Sequence, residues 1–284
     1  MDWTACIRQA IAYMEEHMKE DISMTALSRE IGVSSYYFQK GFSMLCGMTV
    51  GEYLRCRRLS LAGRDLVLSE SKIIDIALDY GYDSPDSFTK AFSRFHGITP
   101  LAARREGGPL RTFASQQIKI SLEGGSQMDY KIVKKAPFTV KCVAKRFACQ
   151  NALTEVPLFW QEHHQNGGGK ISGMYGINID EVMGGDTFEY LIADDYNPAE
   201  ELPAGCETRT IPALNWAVFP CHGPMPESIQ AVEKQIFAQW LPNNGYQFSA
   251  GYNIERYDDP RQYEKGTRDE KYYCEVWIPV KESE

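Results

Sequence analysis

The sequence predicts a multidomain chain: an all-α N-terminal domain made of two helix-turn-helix units, then an α+β C-terminal domain with an antiparallel, pseudo-twofold sheet. Three observations carry this reading. Residues 71–100 hold two apolar-periodic segments joined by a glycine turn. The same pattern stands about fifty residues earlier, with one residue inserted at the turn. Beyond residue 128 the helical period gives way to a strand, helix, strand, strand order that occurs twice.

In the later unit, Ile73, Ile74, Ile76 and Ala77 form an apolar face that stops at Gly81, where a positive φ ends a helix without steric cost. Ser84 caps the next helix, and Pro85 suits its first position, where no N–H is required. Phe88, Ala91, Phe92 and Phe95 recur at the spacing of one buried stripe, which leaves Asp86, Ser87, Thr89, Lys90, Ser93 and Arg94 outside. A short polar helix standing proud of a small core is what reading a major groove requires. The pattern also occurs in helical domains that bind nothing. The second copy favours two reading heads on one frame: Ile31-Gly32-Val33-Ser34-Ser35 followed by Phe38, Gly41, Phe42 and Leu45.

Around these units the chain reads as follows. Residues 2–18 place Ile7, Ala10, Ile11 and Met14 on one helical face. Ser23 caps a short helix with Leu27 and Ile31. The helix from Ser35 is expected to expose Ser35, Tyr36, Gln39, Lys40 and Ser43. Gly41, aligned with Ala91, costs helix stability of about 1 kcal/mol against Ala and so predicts a close approach by another element. Thr49 caps a long spacer helix with Tyr53, Leu54, Leu61, Leu66 and Leu68. Thr99-Pro100 starts a final short helix, and Gly107-Gly108-Pro109 closes the domain. Residues 108–127 read as a linker holding one alternating run, 117–122. The expected domains are therefore 1–107 and 128–284.

The charge distribution narrows the partners. The chain has 284 residues, 30 basic and 38 acidic, for a net charge of −8, which excludes a polybasic nucleic-acid wrapper. Up to Gly107, however, 13 basic side chains face 14 acidic ones, so most of the acidity lies further on. Basic residues cluster at Arg55, Arg57 and Arg58, at Lys90 and Arg94, and at Arg104 and Arg105, close enough to serve phosphates locally. Eight scattered cysteines, without a C-x-x-C or zinc-finger spacing, fit buried apolar side chains of a reducing compartment. The first residues lack a secretory pattern, and no apolar run is long enough to span a bilayer. A soluble cytoplasmic protein, with no membrane role and no cofactor or metal, is expected.

In the C-terminal part, strands are expected at 139–144, 174–177 and 188–192 around a helix near 154–164, then at 214–219, 252–255 and 273–278 around a helix near 226–240. Such symmetry places a concave groove between the halves. Glu275 stands out, because in a period-2 strand it shares a face with Tyr273 and Trp277, and a carboxylate among aromatics wants a cation. That cation is either a Lys or Arg of the chain or the ammonium of a ligand, stacked on rings by cation–π attraction. Trp160, Tyr175, Tyr190, Trp216 and Tyr252 are the candidate rings, and each is also an ordinary core residue by its pattern.

From Ile7 to Arg105 the chain resembles the DNA-binding domain of the AraC/XylS family of transcription regulators. The motifs are S-R-E-I-G-V-S-S-Y-Y-F-Q-K-G-F, I-I-D-I-A-L-D-Y-G-Y-D-S-P-D-S-F-T-K-A-F and F-H-G-I-T-P. The resemblance implies seven helices, with two recognition helices entering successive major-groove segments roughly 34 Å apart. It implies base or backbone contacts by Ser35, Tyr36, Gln39 and Lys40 from the first helix, and by Ser84, Asp86, Ser87, Thr89, Lys90 and Arg94 from the second. Gly41 departs from the family, which commonly has a bulky apolar residue there.

From about Met128 onward the chain is similar to the gyrase-inhibitor-like effector-binding domains attached to some AraC-type and multidrug-responsive regulators. The matching residues are Met128-Asp129-Tyr130-Lys131-Ile132-Val133, Pro157-x-x-Trp160 and Glu275-Val276-Trp277-Ile278-Pro279-Val280. The likeness implies a site around Glu275 for a hydrophobic, often cationic small molecule, lined by Trp160, Tyr175, Tyr190, Trp216, Tyr252, Tyr273 and Trp277. The expected function is a one-component transcription regulator with double-stranded DNA and a small-molecule effector as partners and RNA polymerase as a further candidate. The alternatives make the C-terminal domain a small-molecule hydrolase, with Glu275 as base beside Tyr190 or Tyr273, or a drug-sequestering module. No nucleophile elbow, metal cluster or phosphate loop supports an enzyme. The regulator reading, as the sequence frames it, requires both polar helices to face outward.

Overall fold

A computed structural model describes residues 3–106, 109–116, 128–165, 171–180 and 185–282. The Gly107-Gly108 end of the first domain and the alternating run 117–122 lie outside the described residues.

Among the described residues, seven helices make up the N-terminal part: α1 (Trp3–Glu16), α2 (Met24–Ile31), α3 (Ser35–Cys46), α4 (Val50–Leu68), α5 (Ile73–Asp79), α6 (Pro85–His96) and α7 (Pro100–Glu106). The predicted caps Ser23, Thr49 and Ser84 form, and Ser34 adds one that the sequence reading did not name. Ser23, Ser34 and Ser84 accept backbone N–H bonds at the starts of α2, α3 and α6, and Thr49 with Glu52 makes a reciprocal capping box on α4. Gly81 adopts φ +79° in the α5–α6 turn, as expected.

The two units bury different cores. Around α4 to α7, Leu59, Leu66, Ile76, Tyr80, Phe88, Phe92 and Ala103 form a core of their own. Phe88 and Phe92 are wholly buried, and each such side chain contributes roughly 1.5–3 kcal/mol relative to exposure. The core of α1 to α4, with Met14, Tyr37, Phe38, Phe42 and Tyr53, is instead continuous with the C-terminal domain through Phe188, Phe237, Val276 and Ile278.

The C-terminal domain is one sheet in the order β1-β6-β9-β8-β3-β4-β2-β5, with β7 beside β9. The strands are β1 (Lys131–Lys135), β2 (Phe138–Ala148), β3 (Tyr175–Ile179), β4 (Thr187–Asp195), β5 (Glu207–Ile211), β6 (Leu214–His222), β7 (Tyr246–Phe248), β8 (Tyr252–Tyr257) and β9 (Tyr273–Glu282). All pairings are antiparallel. Helix α8 (Ala152–Gln165) follows β2, and α9 (Glu227–Gln235), extended by a π-type turn over Ile236–Trp240, follows β6. The pseudo-twofold relation runs between β3 and β8. The strand preceding each half pairs across it, β1 with β6 and β5 with β2. One face of the sheet carries Ile192, Phe219, Val276 and Ile278 toward the helices, and the other buries Tyr175, Trp216, Leu191 and Trp277. Residues 109–116 run back along the N-terminal part: the Arg111 N–H donates to His96 Nδ1 at 3.1 Å and the Phe113 N–H to Ser60 Oγ at 3.0 Å. Among the described residues, no helix is long and apolar enough to cross a membrane.

Candidate ligand cavity and nucleic-acid interface

Helix α6 matches its sequence pattern. Phe88 and Phe92 point into the core, while Ser84, Asp86, Ser87, Lys90 and Arg94 are exposed and Thr89 is half-buried. Asp86 lies in the first turn and Arg94 in the last, each complementing the helix dipole. Of the other basic clusters, Arg57 pairs with Glu15 and Arg58 Nε donates to the Met18 carbonyl at 2.9 Å, so both are engaged within the protein. Arg55 and Arg105 remain exposed, as do Lys90 and Arg94.

Helix α3 corrects an expectation. Ser35, Tyr36 and Lys40 are buried, at 0%, 8% and 7% exposure, and Gln39 and Ser43 are half-buried. The C-terminal domain covers them. The Tyr36 ring packs at 4.7 Å, tilted, against Phe188 and the Tyr37 ring at 4.2 Å, tilted, against Phe248, and the Tyr37 hydroxyl donates to the Tyr252 carbonyl. A Cβ at position 41 would collide with the Trp3 ring and come within 2.8 Å of Phe237, so the glycine permits the close approach that its alignment with Ala91 predicts. Asp180 faces Ser34 and the Tyr36 N–H at the start of α3, and burial raises its pKa to about 6. Outward-facing recognition helices are thus found for α6 and not for α3.

Between α3, α8, α9 and the sheet lies a cavity of ≈ 660 Å³, a size suited to a drug-sized molecule. Helix α8 contributes Val156, Pro157, Trp160 and His164; α9 contributes Ile229 and Glu233; the sheet contributes Tyr190, Glu255 and Tyr257. Its N-terminal wall is Tyr36, Lys40, Ser43 and Met44 of α3. The aromatics are fixed by hydrogen bonds: Trp160 Nε1 donates to Tyr190 OH at 3.0 Å, and the hydroxyls of Tyr190 and Tyr257 donate to Glu255 Oε2 at 3.2 and 2.5 Å. Gly176 is needed on β3, because a Cβ there would collide with the Tyr190 hydroxyl.

Two carboxylates and one ammonium meet against α3 in the cavity, whose lining also includes Asp258 and Lys234. Lys40 Nζ forms an ion pair with Glu233 and lies 3.7 Å from Glu255. Burial works against the Lys40 charge, yet Glu233, Tyr36 and Glu255 hold its pKa well above the usual value. Burial raises the pKa of Glu233, and Lys40 opposes that rise. Burial likewise pushes the hydroxyls of Tyr190 and Tyr257 well above the ordinary tyrosine value, so both remain donors.

The predicted ligand residues divide between the two faces of the sheet. Trp160 and Tyr190 reach the cavity. Tyr175, Trp216, Tyr252 and Trp277 belong to the core on the opposite face, and Glu275 lies on that face with Tyr273. Glu275 is already satisfied: Tyr273 OH and Trp277 Nε1 donate to it at 2.8 and 2.7 Å, and Lys131 and Arg256 stand at 3.5 and 3.8 Å. Burial opposes ionisation, and these partners outweigh it, lowering the pKa. The chain's own cations are therefore the answer for Glu275, and the expectation of a ligand site around it is corrected. The acidic residues that face Lys40 in the cavity are Glu233 and Glu255, which the sequence reading missed, as it did Asp258 further along the lining. The signal for Glu255 was present, since β8 places it two residues from Tyr257 as β9 places Glu275 two from Trp277.

A helix-turn-helix domain joined to a cavity-bearing sheet defines a one-component regulator, with DNA recognition and ligand recognition in one chain. Residues 128–281 match the family described as the GyrI-like small molecule binding domain, and residues 27–106 match a helix-turn-helix domain. The chain belongs to the GyrI-like family, with an AraC-type DNA-binding domain in front, and is a transcription regulator controlled by a small molecule. It is 24% identical over 99% of its length to the whole of the right origin-binding protein of Escherichia coli K12, and equally to that of the transcriptional regulator Rob of Salmonella typhimurium LT2. Over 33% of its length it is 36% identical to 88% of the regulatory protein SoxS of Escherichia coli K12.

Proposed function

We propose that the effector is a hydrophobic cation held between the carboxylates of Glu233 and Glu255 and the rings of Trp160, Tyr190 and Tyr257. The observation that carries this is the pair of acidic side chains in an aromatic, largely apolar cavity. A delocalised cation is weakly hydrated, loses little on entry and gains both Coulomb attraction and ring contacts. The operator is contacted first by Lys90, Arg94, Asp86, Ser87 and Thr89 of α6, with Ser84 at its cap. Ser35, Tyr36, Gln39 and Lys40 join only where α3 is free. RNA polymerase is the proposed further partner, and the cytoplasm the proposed compartment.

The same reading makes the C-terminal domain a binding module and not a hydrolase. Glu255 accepts hydrogen bonds from two tyrosines and faces Lys40, a setting that holds a charge in place instead of freeing a base. Calorimetry with tetraphenylphosphonium and the neutral triphenylphosphine oxide tests the assignment. Glu255→Gln is expected to weaken cation binding about tenfold or more while sparing the neutral compound, and Glu275→Gln to change neither. Equal losses of both compounds in Glu255→Gln contradict it.

A further inference from the structure

We propose that Lys40 holds, in the ligand-free protein, the subsite that a cationic effector takes, so that effector binding and release of the first recognition helix are one event. The inference rests on the cationic-effector reading and adds the direction of control.

The geometry is a contest for two carboxylates. Lys40 Nζ pairs with Glu233 and lies 3.7 Å from Glu255, and all three side chains line the cavity. A second cation against either carboxylate therefore comes within a few ångströms of the ammonium. Two like charges that close repel strongly where burial lowers the effective dielectric. An effector that stacks on Trp160 and Tyr257 wins ring contacts that a lysine ammonium in that position does not make. Lys40 is the member of the contest carried by the helix-turn-helix part, while both carboxylates belong to the ligand-binding domain.

The arrangement suits a latch better than a brace. A buried ion pair roughly breaks even against its desolvation, so it adds little to docking while intact, whereas losing one partner is costly. Competition at the carboxylates thus changes the docking balance strongly. The aligned residue of the second unit, Lys90, is exposed on α6, which marks Lys40 as a position whose pattern faces outward and whose partner draws it in. One ammonium cannot serve a phosphate and Glu233 together. The effector shifts the equilibrium only by its preference for the undocked state, and the coupling is reciprocal: operator DNA raises effector affinity by the same factor, on the order of 5- to 150-fold. Effector binding strengthens DNA binding on this account.

Hydrogen–deuterium exchange on the full chain, with and without saturating tetraphenylphosphonium, is the test, with calorimetry confirming occupancy. Amides of residues 35–46 are expected to lose protection on the order of tenfold with the cation, while those of 85–96 do not change. Glu233→Gln, which removes the carboxylate charge that pairs with Lys40, is expected to lower protection of 35–46 without ligand and to blunt the response to it. Lys40→Met serves the same purpose should that variant fail to fold. Unchanged or increased protection of 35–46 in the saturated wild type overturns the latch and leaves the effector site standing. Should calorimetry show no cation binding, the effector reading fails by itself, and the variant decides the latch: unchanged protection in Glu233→Gln overturns it.

Discussion

The two helix-turn-helix units follow one sequence pattern and meet different surroundings. Helices α3 and α6 share serine caps, a glycine end and a Phe stripe, and they carry lysines at aligned positions. Lys90 stands in solvent, whereas Lys40 is 7% exposed against Glu233. The difference shows that local pattern builds a recognition helix, while a distant part of the chain decides whether that helix is available. The second unit is closed on its own core; the first is completed by the ligand-binding domain.

Substitution at the aligned lysines is the most forceful way to break this comparison. Lys40→Met leaves the buried Glu233 and the half-buried Glu255 without this counter-ion and is expected to lower stability by about 3–5 kcal/mol. Lys90→Met is expected to stay within about 0.5 kcal/mol. Urea unfolding of both variants measures the contrast, and equal midpoints remove it.

The small residues beneath the lysines sharpen it further. Gly41→Ala gains about 1 kcal/mol of helix propensity but overpacks against Trp3 and Phe237 at a cost of about 1–3 kcal/mol. A net loss near 1 kcal/mol is expected. Ala91→Gly is expected to lose about the same for the opposite reason, propensity alone. Thermal unfolding with cation present separates them, because only Gly41 sits at the domain contact. The smallest effect on the fold is expected from Arg94→Ala, which leaves stability and cation affinity unchanged. It weakens binding to operator duplex, selected from random sequence, and reduces the salt slope by about 1. Fluorescence anisotropy over a salt series checks this.

Much of the helical domain was legible because its determinants are local: Ser23, Ser84, Pro85, Thr49 and Gly81 each sit within one turn of the end they define. The burial of α3 was not, since its covering residues, Phe188, Phe237 and Glu233, lie about 150–200 positions away and nothing near Lys40 encodes them. Gly41 alone signalled a close approach without naming the partner. In the sheet, period-2 alternation correctly put Glu275 with Tyr273 and Trp277, but alternation cannot say which face carries the cavity. Arg256, opposite Glu275 in the β8–β9 register, supplied the cation, and Glu255 beside it faced the other way. The regulator reading survives the inward turn of α3, because the family match and the exposed α6 support it independently.

Competitive acetylation of the ligand-free protein with trace acetic anhydride, read lysine by lysine, tests the central claim most directly. Lys90 is expected to react as a solvent-exposed lysine, and Lys40 on the order of tenfold slower or more, since it reacts only when α3 leaves the ligand-binding domain. Equal labelling of Lys40 and Lys90 would show both helices standing free and contradict the account.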